Sequence, residues 1–382
     1  MTAQTPVKYE LIKNHAELRE IITVLQNEPV IGVDLEADSM FHYQEKICLL
    51  QIATHALNIL IDPLSVEDLS PLAPIFADAG VRKVFHGADY DIRSLYRDVG
   101  IEVHSLFDTQ IAAKFLGARE TGLAVLLKKE FHVLSDKKYQ KKDWSQRPLP
   151  SAMLQYAVQD ICYLIPLADI LERKLLKKRL LFCVEEECER LSRVRPDLSK
   201  NKSFFLSFKG AAKLGPRNLA ILESILCFRD QVAKRRNLPC YKVMGNKPVL
   251  EIALKKPLTR TDLAEINGLS PKLIDHMGKA IIKKVREGLS LPEKMLPVYP
   301  EKISQKLRPK EASRVKALKI WRERLGCKWN VEPSLVCTNA QIQEIAVANP
   351  EQPENMECFH NIRKWQIKLF GKDICNILQE TN

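Results

Sequence analysis

Short apolar runs and amphipathic helical patterns alternate along the first half of the chain. The run VIGVDLE is apolar up to its acidic end, and two later apolar runs are joined by a connection that suits a β-hairpin. Strands are predicted at Val30–Glu36, Ile47–Thr54, Leu57–Asp62 and Lys83–His86. Helices are predicted at Leu69–Ala79, Asp91–Val99, Asp108–Leu116, Leu123–Phe131 and Ser151–Arg179. Strands and helices interleaved in this way predict an α/β domain built on a sheet.

The second half of the chain shows helical patterns without strand signals. The change comes at the polar segment Arg195–Lys202, and a proline-rich segment, Ser290–Pro309, then separates two helical stretches. We therefore expect an α/β domain over residues 1–205, followed by two all-α domains over 210–292 and 305–382. A length of 382 residues agrees with several domains, because it exceeds what one ordinary core holds.

Composition favours a cytoplasmic protein with no membrane partner. No apolar run is long enough to span a bilayer, and the first twenty residues are polar, without the apolar core of a signal peptide. The ten cysteines form no C-x-x-C pair and have no histidine at zinc-ligand spacing, so reduced thiols are expected.

The charge is unevenly divided between the two halves. The net charge of +12 is the sum of −3 over residues 1–200 and +15 over residues 201–382. An acidic front half suits bound cations, and a basic back half suits a polyanion such as nucleic acid, although Lys and Arg also simply solvate helices.

Two carboxylates end the first buried strand. Asp34 and Glu36 are spaced i and i+2, which places both side chains on one face of a strand. An acidic pair at the end of an apolar strand is costly unless a cation neutralises it. Hard divalent ions such as Mg²⁺ prefer oxygen ligands, so this pair is a candidate metal site.

Further acidic residues occur on two predicted helices. Tyr156 and Asp160 are spaced i and i+4 and share a helix face. Asp89 and Asp91 open another helix, where an acidic side chain often only caps the first turn. We assign the capping role to Asp89 and the chemical role to Asp91.

These motifs stand in the order of a known nuclease superfamily. D-x-E at Asp34, Asp91 within HGADYDI, and Tyr156-x-x-x-Asp160 resemble the three exonuclease motifs of the DEDD superfamily, tyrosine subclass. The runs VFHGADYDI, LFDTQIAAKFLG, DWSQRPLP and QYAVQDICYL are similar to the ribonuclease D family, over about residues 8–200. The resemblance implies a ribonuclease H-like exonuclease domain, a mixed sheet flanked by helices.

The resemblance also implies two divalent ions, Mg²⁺ or Mn²⁺, and a role for each motif residue. Asp34 would bridge both ions, Glu36 and Asp160 would complete the first site, and Asp91 would hold the second, partly through water. Tyr156 would orient the attacking water.

The basic half resembles a small helical module called HRDC. The resembling residues are R-x-x-x-A-x-x-R-x-L-P-x-Y-x-V from Arg229 to Val243, then Pro257 and the stretch Leu258–Leu273, and residues 310–382 repeat the pattern more weakly. Such modules would add RNA affinity rather than chemistry. Candidate RNA contacts are Lys234, Arg235, Arg236 and Lys242, with Lys255, Lys256, Lys283 and Lys284 as further candidates.

Some residues near the motifs keep two interpretations open. Trp144 and Arg147 precede the Tyr156 helix, and they either contact substrate, by stacking and on phosphate, or pin their own loop. His86 is expected to be structural. Gln51 and His42 could approach the site, but the sequence does not decide.

The resulting prediction is a 3′→5′ exoribonuclease that releases 5′-mononucleotides from RNA 3′ ends. The family suggests tRNA precursors, or other small structured RNAs with single-stranded 3′ ends, as substrates. No P-loop is present, so no nucleotide cofactor is expected. The alternatives are a DNA exonuclease of the same chemistry and a catalytically inert RNA-binding protein.

Overall fold

A computed structural model of the chain describes residues 6–134, 137–197, 203–300 and 307–381. The predicted breaks at Arg195–Lys202 and Ser290–Pro309 lie partly outside these residues. In the described part of the chain, none of the helices combines the length and apolar character that crossing a membrane requires.

A mixed six-stranded sheet forms the N-terminal domain, as the sequence predicted. The strands are β1 Glu10–Ile12, β2 Val30–Ala37, β3 Ile47–Ala53, β4 Asn58–Ile61, β5 Arg82–Phe85 and β6 Leu106–Asp108. They lie in the order β1-β4-β3-β2-β5-β6. The middle strands β2, β3 and β4 are antiparallel, which confirms the predicted hairpin, and the outer pairings are parallel. The edge strands β1 and β6 have three residues each, too few to leave a pattern in the sequence.

Nine α-helices accompany the sheet in the described residues. They are α1 His15–Leu25, α2 Pro63–Val66, α3 Ala73–Ala77, α4 Asp89–Val99, α5 Thr109–Phe115, α6 Leu123–Phe131, α7 Ser151–Ile161, α8 Leu164–Lys178 and α9 Leu181–Ser192. The helix expected at Leu69–Ala79 is instead a 3₁₀ turn at Ser70–Leu72 followed by α3.

The single long helix predicted at Ser151–Arg179 is two helices, α7 and α8. Cys162 and Tyr163 separate them. Pro166 lies in the first turn of α8, where it has no N–H to donate to the carbonyl of Cys162 four residues earlier. The break sets the direction of α7, the helix that carries Tyr156 and Asp160.

Two helical domains follow, and their elements repeat at a constant offset of 93 residues. The first helical domain contains α10 Pro216–Arg236, α11 Cys240–Val243, α12 Asn246–Lys255, α13 Arg260–Ala264 and α14 Pro271–Ser290. The second helical domain contains α15 Pro309–Trp329, α16 Pro333–Val336, α17 Asn339–Ala348 and α18 Lys364–Glu380.

One side-chain contact recurs in both helical domains. Arg229 donates to the Asn246 side chain at 2.7 Å, and Arg322 donates to the Asn339 side chain at 2.9 Å. Each arginine also donates to a backbone carbonyl fifteen residues further along the chain. This repeated contact joins the long first helix of each domain to the start of its third helix.

The chain packs into two compact units that do not follow sequence order. One unit contains residues 6–37, 47–196 and 307–381, so the second helical domain packs on the α/β domain. The other unit contains residues 38–46 and the described residues between 197 and 304. In that unit, the hydroxyl of Tyr43 donates to Asp230 at 2.7 Å, and the hydroxyl of Tyr241 donates to the Met40 carbonyl at 2.9 Å.

Candidate active site

Strand alternation divides β2 into an apolar face and an acidic face. Val33 and Leu35 are buried in the main core, while Asp34 and Glu36 lie on the opposite face and remain partly exposed. The helix α7 covers this second face, because its residues pack in an apolar cluster with β3 and β4. The two carboxylates therefore lie between the sheet and α7.

A glycine allows the junction of α7 and α8 to approach the acidic face. Gly32 precedes Asp34 by two residues, so a side chain there would point the same way. A Cβ atom at Gly32 would lie 3.1 Å from Leu164 Cβ and 3.5 Å from the Ile161 carbonyl oxygen. The absence of a side chain at this position lets the end of α7, including Asp160, settle onto β2.

The helix α7 contributes Tyr156 and Asp160. Both residues are 7% exposed, and the tyrosine hydroxyl donates a hydrogen bond to the Asp160 carboxylate. Trp144 lies behind the tyrosine ring, with ring centroids 6.3 Å apart, and Tyr139 contacts it from another direction at 5.8 Å. These aromatic contacts fix the direction of the Tyr156 hydroxyl.

Asp91 lies in the first turn of α4 and is 7% exposed. The role predicted for Asp89 is corrected, because Ala88 is the N-cap and Asp89 is an exposed residue that pairs with Arg93 at 2.8 Å. The entry to α4 is instead organised by Asp108, a buried residue at the end of β6. Its carboxylate accepts hydrogen bonds from the backbone N–H groups of Gly87 and Ala88, at 3.1 and 2.8 Å.

Asp108 has no role among those predicted from the sequence. It also caps α5, accepting from the backbone of Gln110 and Ile111 at 2.7 and 3.1 Å. The signal was present in the run LFDTQ, since an aspartate directly before a helical pattern is a preferred N-cap. A second function as an acceptor for another segment is not visible in sequence.

Asp34 and Glu36 on β2 interact electrostatically with each other and with Asp160 on α7. Burial, followed by the charges of Asp91 and Asp160, raises the pKa of Asp34 well above its ordinary value of 3.8. Burial, followed by the charges of Asp34, Asp160 and Asp91, likewise raises the pKa of Glu36. These interactions place the four carboxylates predicted as metal ligands within electrostatic range of one another.

The pKa values of Asp91 and Tyr156 are raised for related reasons. Burial, followed by the charges of Asp108 and Asp89, raises the pKa of Asp91 to about 7. Burial, followed by the charge and hydrogen bond of Asp160, raises the pKa of Tyr156, so its phenol is protonated at neutral pH. Tyr156 therefore presents a hydroxyl group and not a base.

A cavity of about 310 Å³ opens beside Tyr156. Its lining includes Asp34, Tyr156 and Asp160, together with His86 and Gln110. His86 also bonds within the domain, since its Nδ1 lies 2.8 Å from the Thr109 hydroxyl. A larger cavity of about 670 Å³ lies elsewhere, between the connection from α5 to α6 and the second helical domain, and contains none of the motif residues.

The donor chemistry at the smaller cavity fits divalent cations. Two of its lining residues, Asp34 and Asp160, are carboxylates, which are hard oxygen donors, and Glu36 lies on the same face of β2 as Asp34. Within the described residues, no three His, Cys, Asp or Glu side chains form a closed set of ligands as they stand. Carboxylates that repel each other are stable close together only when a cation between them offsets the repulsion.

The substrate contact predicted for Trp144 is corrected by its burial. Trp144 is 0% exposed and packs in the apolar cluster with Tyr156, so it has no face to offer a base. It holds the loop and the tyrosine ring in place.

Arg147 is likewise engaged inside its own domain. Its Nε and Nη2 donate to the Asp62 carboxylate at 2.7 and 2.6 Å. Its remaining bonds reach the carbonyls of Trp144, Gln146 and Cys48 at 2.7–2.8 Å. A guanidinium has five N–H groups, and these five bonds use all of them, so none is left for a phosphate.

The basic residues predicted to hold RNA lie on the first helical domain. Lys234, Arg235 and Arg236 form the exposed last turn of α10. Lys242 is also exposed, and its ammonium lies 4.3 Å from the Phe41 ring centroid within the same compact unit.

Comparison with known proteins agrees with the fold. Residues 9–176 match the family model described as 3′-5′ exonuclease, and residues 218–285 and 311–378 each match the HRDC domain. The chain is 27% identical to ribonuclease D of Bartonella henselae, over 95% of this chain and 88% of that protein.

Two solved structures resemble the chain. The crystal structure of Escherichia coli RNase D, described as an exoribonuclease involved in structured RNA processing, has 25% identity and a TM-score of 0.73, covering 98% of this chain and 99% of that one. The catalytic core of RRP6 from Trypanosoma brucei has 30% identity and a TM-score of 0.65, covering 75% and 81%.

The fold and site define an exonuclease domain followed by two HRDC domains. The chain belongs to the ribonuclease D family of 3′→5′ exonucleases.

Proposed function

We propose that this 3′→5′ exoribonuclease removes 5′-mononucleotides from RNA 3′ ends by two-metal-ion hydrolysis at Asp34, Glu36, Asp91 and Asp160. The observation that carries the proposal is the clustering of these carboxylates, in which burial, followed by mutual repulsion, raises the pKa values of Asp34 and Glu36. Repelling carboxylates are the electrostatic requirement of a site for divalent cations. Two bound ions would supply Lewis-acid stabilisation of the attacking and leaving oxygens and would lower the pKa of the attacking water.

We assign each of these residues a separate role. We assign the bridging role to Asp34, as the family resemblance implies, and its electrostatic interactions with both Asp91 and Asp160 are compatible with it, although Glu36 interacts with the same two residues. Glu36 and Asp160 would complete one ion site, and Asp91 would serve the other. Tyr156 keeps its proton at neutral pH, so we assign it the orientation of the attacking water through its hydroxyl.

The proposed substrates are tRNA precursors or other small structured RNAs with single-stranded 3′ ends. The cavity of about 310 Å³ holds on the order of one nucleotide and no duplex. The E. coli relative is described as acting in structured RNA processing, which supports the same class for this chain. We propose the cytoplasm as the location, where such precursors are matured.

The exposed basic turn of α10 is the proposed holding surface for RNA, with Lys242 as a further contact. Phosphate contacts of this type depend on salt, because binding releases counterions. Replacing Lys234, Arg235 and Arg236 by Ala should weaken RNA binding and flatten its dependence on salt concentration, while single-turnover cleavage at saturating RNA stays unchanged.

The primary test compares 5′-labelled single-stranded RNA with matched DNA, in Mg²⁺, in Mn²⁺ or in EDTA. We expect a metal-dependent ladder that shortens from the RNA 3′ end and is lost in Asp34→Asn and Asp160→Asn. Faster loss of DNA would assign the same chemistry to DNA. Retention of RNA in a gel shift without cleavage in either metal would make the chain an inert binding protein.

A second substrate tests the choice of RNA. A tRNA precursor with a single-stranded 3′ extension should be trimmed to the base of its acceptor stem and then stop. Digestion through the stem would contradict the proposed preference for single-stranded ends.

A further inference from the structure

Gln51 is a buried polar residue without a protein partner. It is 0% exposed, and neither its amide oxygen nor its amide nitrogen has a hydrogen-bond partner among the described residues. A buried amide normally has at least one partner, and an amide that lacks one destabilises the folded state. Such a side chain indicates a group that binds at this place.

The strand register places Gln51 directly opposite Asp34. The two residues are paired across the antiparallel strands β2 and β3, so their side chains project from the same face with Cβ atoms about 4.5–5.5 Å apart. On the other side, Gln51 is paired with Leu60 of β4, an apolar residue of the cluster beneath α7. Asp34 is therefore the polar neighbour that the strand pairings give to Gln51.

Two other buried glutamines show the bonding of a structural role. In the second helical domain, Gln341 Nε2 donates to Gln366 Oε1 at 2.9 Å. Gln366 Nε2 donates to the Val336 carbonyl at 2.7 Å, and Gln366 Oε1 accepts from the Arg363 backbone at 2.9 Å. Gln51 has no such bonds, so holding the fold together does not explain it.

We propose that Gln51 is a positioning residue, which donates a hydrogen bond from its amide to the Asp34 carboxylate when that carboxylate binds divalent ions. The role rests on the function proposed above. A carboxylate that bridges two ions uses one lone pair of each oxygen, which leaves a lone pair free to accept from an amide. Such outer hydrogen bonds fix the direction of a metal-binding carboxylate.

The amide suits this position for electrostatic reasons. A Lys or Arg opposite Asp34 would neutralise the carboxylate and repel the incoming cations. An apolar residue would leave the carboxylate free to rotate. A neutral donor orients the carboxylate and leaves its full charge for the ions.

The test measures Mn²⁺ binding by calorimetry in the absence of RNA, on the full chain, for the wild type, Gln51→Leu and Gln51→Met. Gln366→Leu is the matched control, because it also removes a buried glutamine but breaks existing bonds. Thermal unfolding in EDTA is measured for all four proteins.

We expect both Gln51 variants to bind Mn²⁺ about 10- to 100-fold more weakly than the wild type. Their unfolding temperatures in EDTA should not fall, since no protein hydrogen bond is lost. Gln366→Leu should show the reverse, with a lower unfolding temperature and wild-type Mn²⁺ affinity.

Two results would overturn the role, and they differ in what else they affect. If the wild type binds Mn²⁺ and the Gln51 variants bind it equally well, only the role of Gln51 fails. If the wild type binds no Mn²⁺ and does not cleave RNA, the proposed function fails and the role of Gln51 fails with it.

Discussion

Trp365 donates its indole N–H to the Glu187 carboxylate across 2.9 Å, which ties the second helical domain to α9 of the exonuclease domain. Trp365 is 2% exposed, and its ring packs edge-on against Phe115 of α5 with centroids 5.2 Å apart. The adjacent Glu186 accepts from the first backbone N–H groups of α18, at 2.8 Å each. A carboxylate at a helix N-terminus also interacts favourably with the helix dipole.

Trp365→Phe should therefore destabilise the compact unit formed by the α/β domain and the second helical domain more than another Trp→Phe change in that unit does. The matched control is Trp321→Phe, because Trp321 packs edge-on against Phe370 inside the second helical domain. Both variants remove the same atoms, but Trp365 is buried while Trp321 is half-buried, and only Trp365→Phe loses a hydrogen bond to a charged group, worth about 1.5–3 kcal/mol. Urea unfolding followed by circular dichroism measures the difference, and equal midpoints would contradict the importance of this bond.

The raised pKa of Asp91 predicts that the stability of the metal-free protein depends on pH. Its pKa is about 7 in the folded state against an ordinary 3.8, so between these values the folded state holds a proton that the unfolded state has lost. Its stabilising contribution is complete below about pH 4 and is lost as the pH rises through 7. In EDTA, Asp91→Asn should therefore gain stability over the wild type by on the order of 2 kcal/mol at pH 8, and the gap should close toward pH 5.

Thermal unfolding between pH 5 and 8 measures this effect. Asp89→Asn is the control, because Asp89 lies two residues away on α4 but is exposed. A pH profile of Asp91→Asn that parallels the wild type would show that this carboxyl titrates normally.

Gly32→Ala should impair catalysis by displacing Asp160, because the change removes no functional group. The new Cβ would lie 3.1 Å from Leu164 Cβ at the start of α8, so the junction of α7 and α8, next to Asp160, would have to move away by a few tenths of an ångström. We expect kcat on single-stranded RNA to fall about tenfold, because small displacements of ligands cost large factors in rate. Overpacking should also lower stability by about 1–3 kcal/mol.

The control for Gly32 is Gly215→Ala, since a Cβ at Gly215 meets no atom within 4 Å. Steady-state kinetics and thermal unfolding on both variants separate position from stability. Wild-type kcat in Gly32→Ala would show that the junction of α7 and α8 accommodates the methyl group without moving Asp160.

Arg147→Lys should destabilise the fold without changing RNA affinity. Burial acts to raise the pKa of Asp62, but the hydrogen bonds and charge of Arg147, with further hydrogen bonds from Ser65 and the Leu64 backbone, together lower this pKa below its ordinary value. A lysine keeps the charge but cannot form the paired bonds, so a loss of about 2–3 kcal/mol is expected.

Chemical unfolding and gel-shift titration at low temperature measure the two effects in Arg147→Lys. Lys141→Ala, an exposed cation in the same loop, serves as control for charge alone. Weaker RNA binding in Arg147→Lys with unchanged stability would restore the phosphate-contact interpretation.

The sequence by itself determined the features that depend on short-range periodicity. Strand alternation placed Asp34 and Glu36 on one face, and helical spacing placed Tyr156 and Asp160 on another. The order of the motifs indicated the family, and the loss of strand signals indicated the helical domains. Each motif and each element is a pattern among residues within a few positions of each other, and the order of these patterns is read directly along the chain.

Only the tertiary structure decided which distant residues meet. The pairing of Asp34 with Gln51, the binding of Arg147 by Asp62 and the capping of the α4 entry by Asp108 join residues 17, 85 and about 20 positions apart. Sequence patterns report which face a side chain occupies, because backbone geometry repeats over a few residues. They do not report what covers that face, because the packing of whole elements fixes it, and this packing gave Arg147, Trp144 and Gln51 their surroundings.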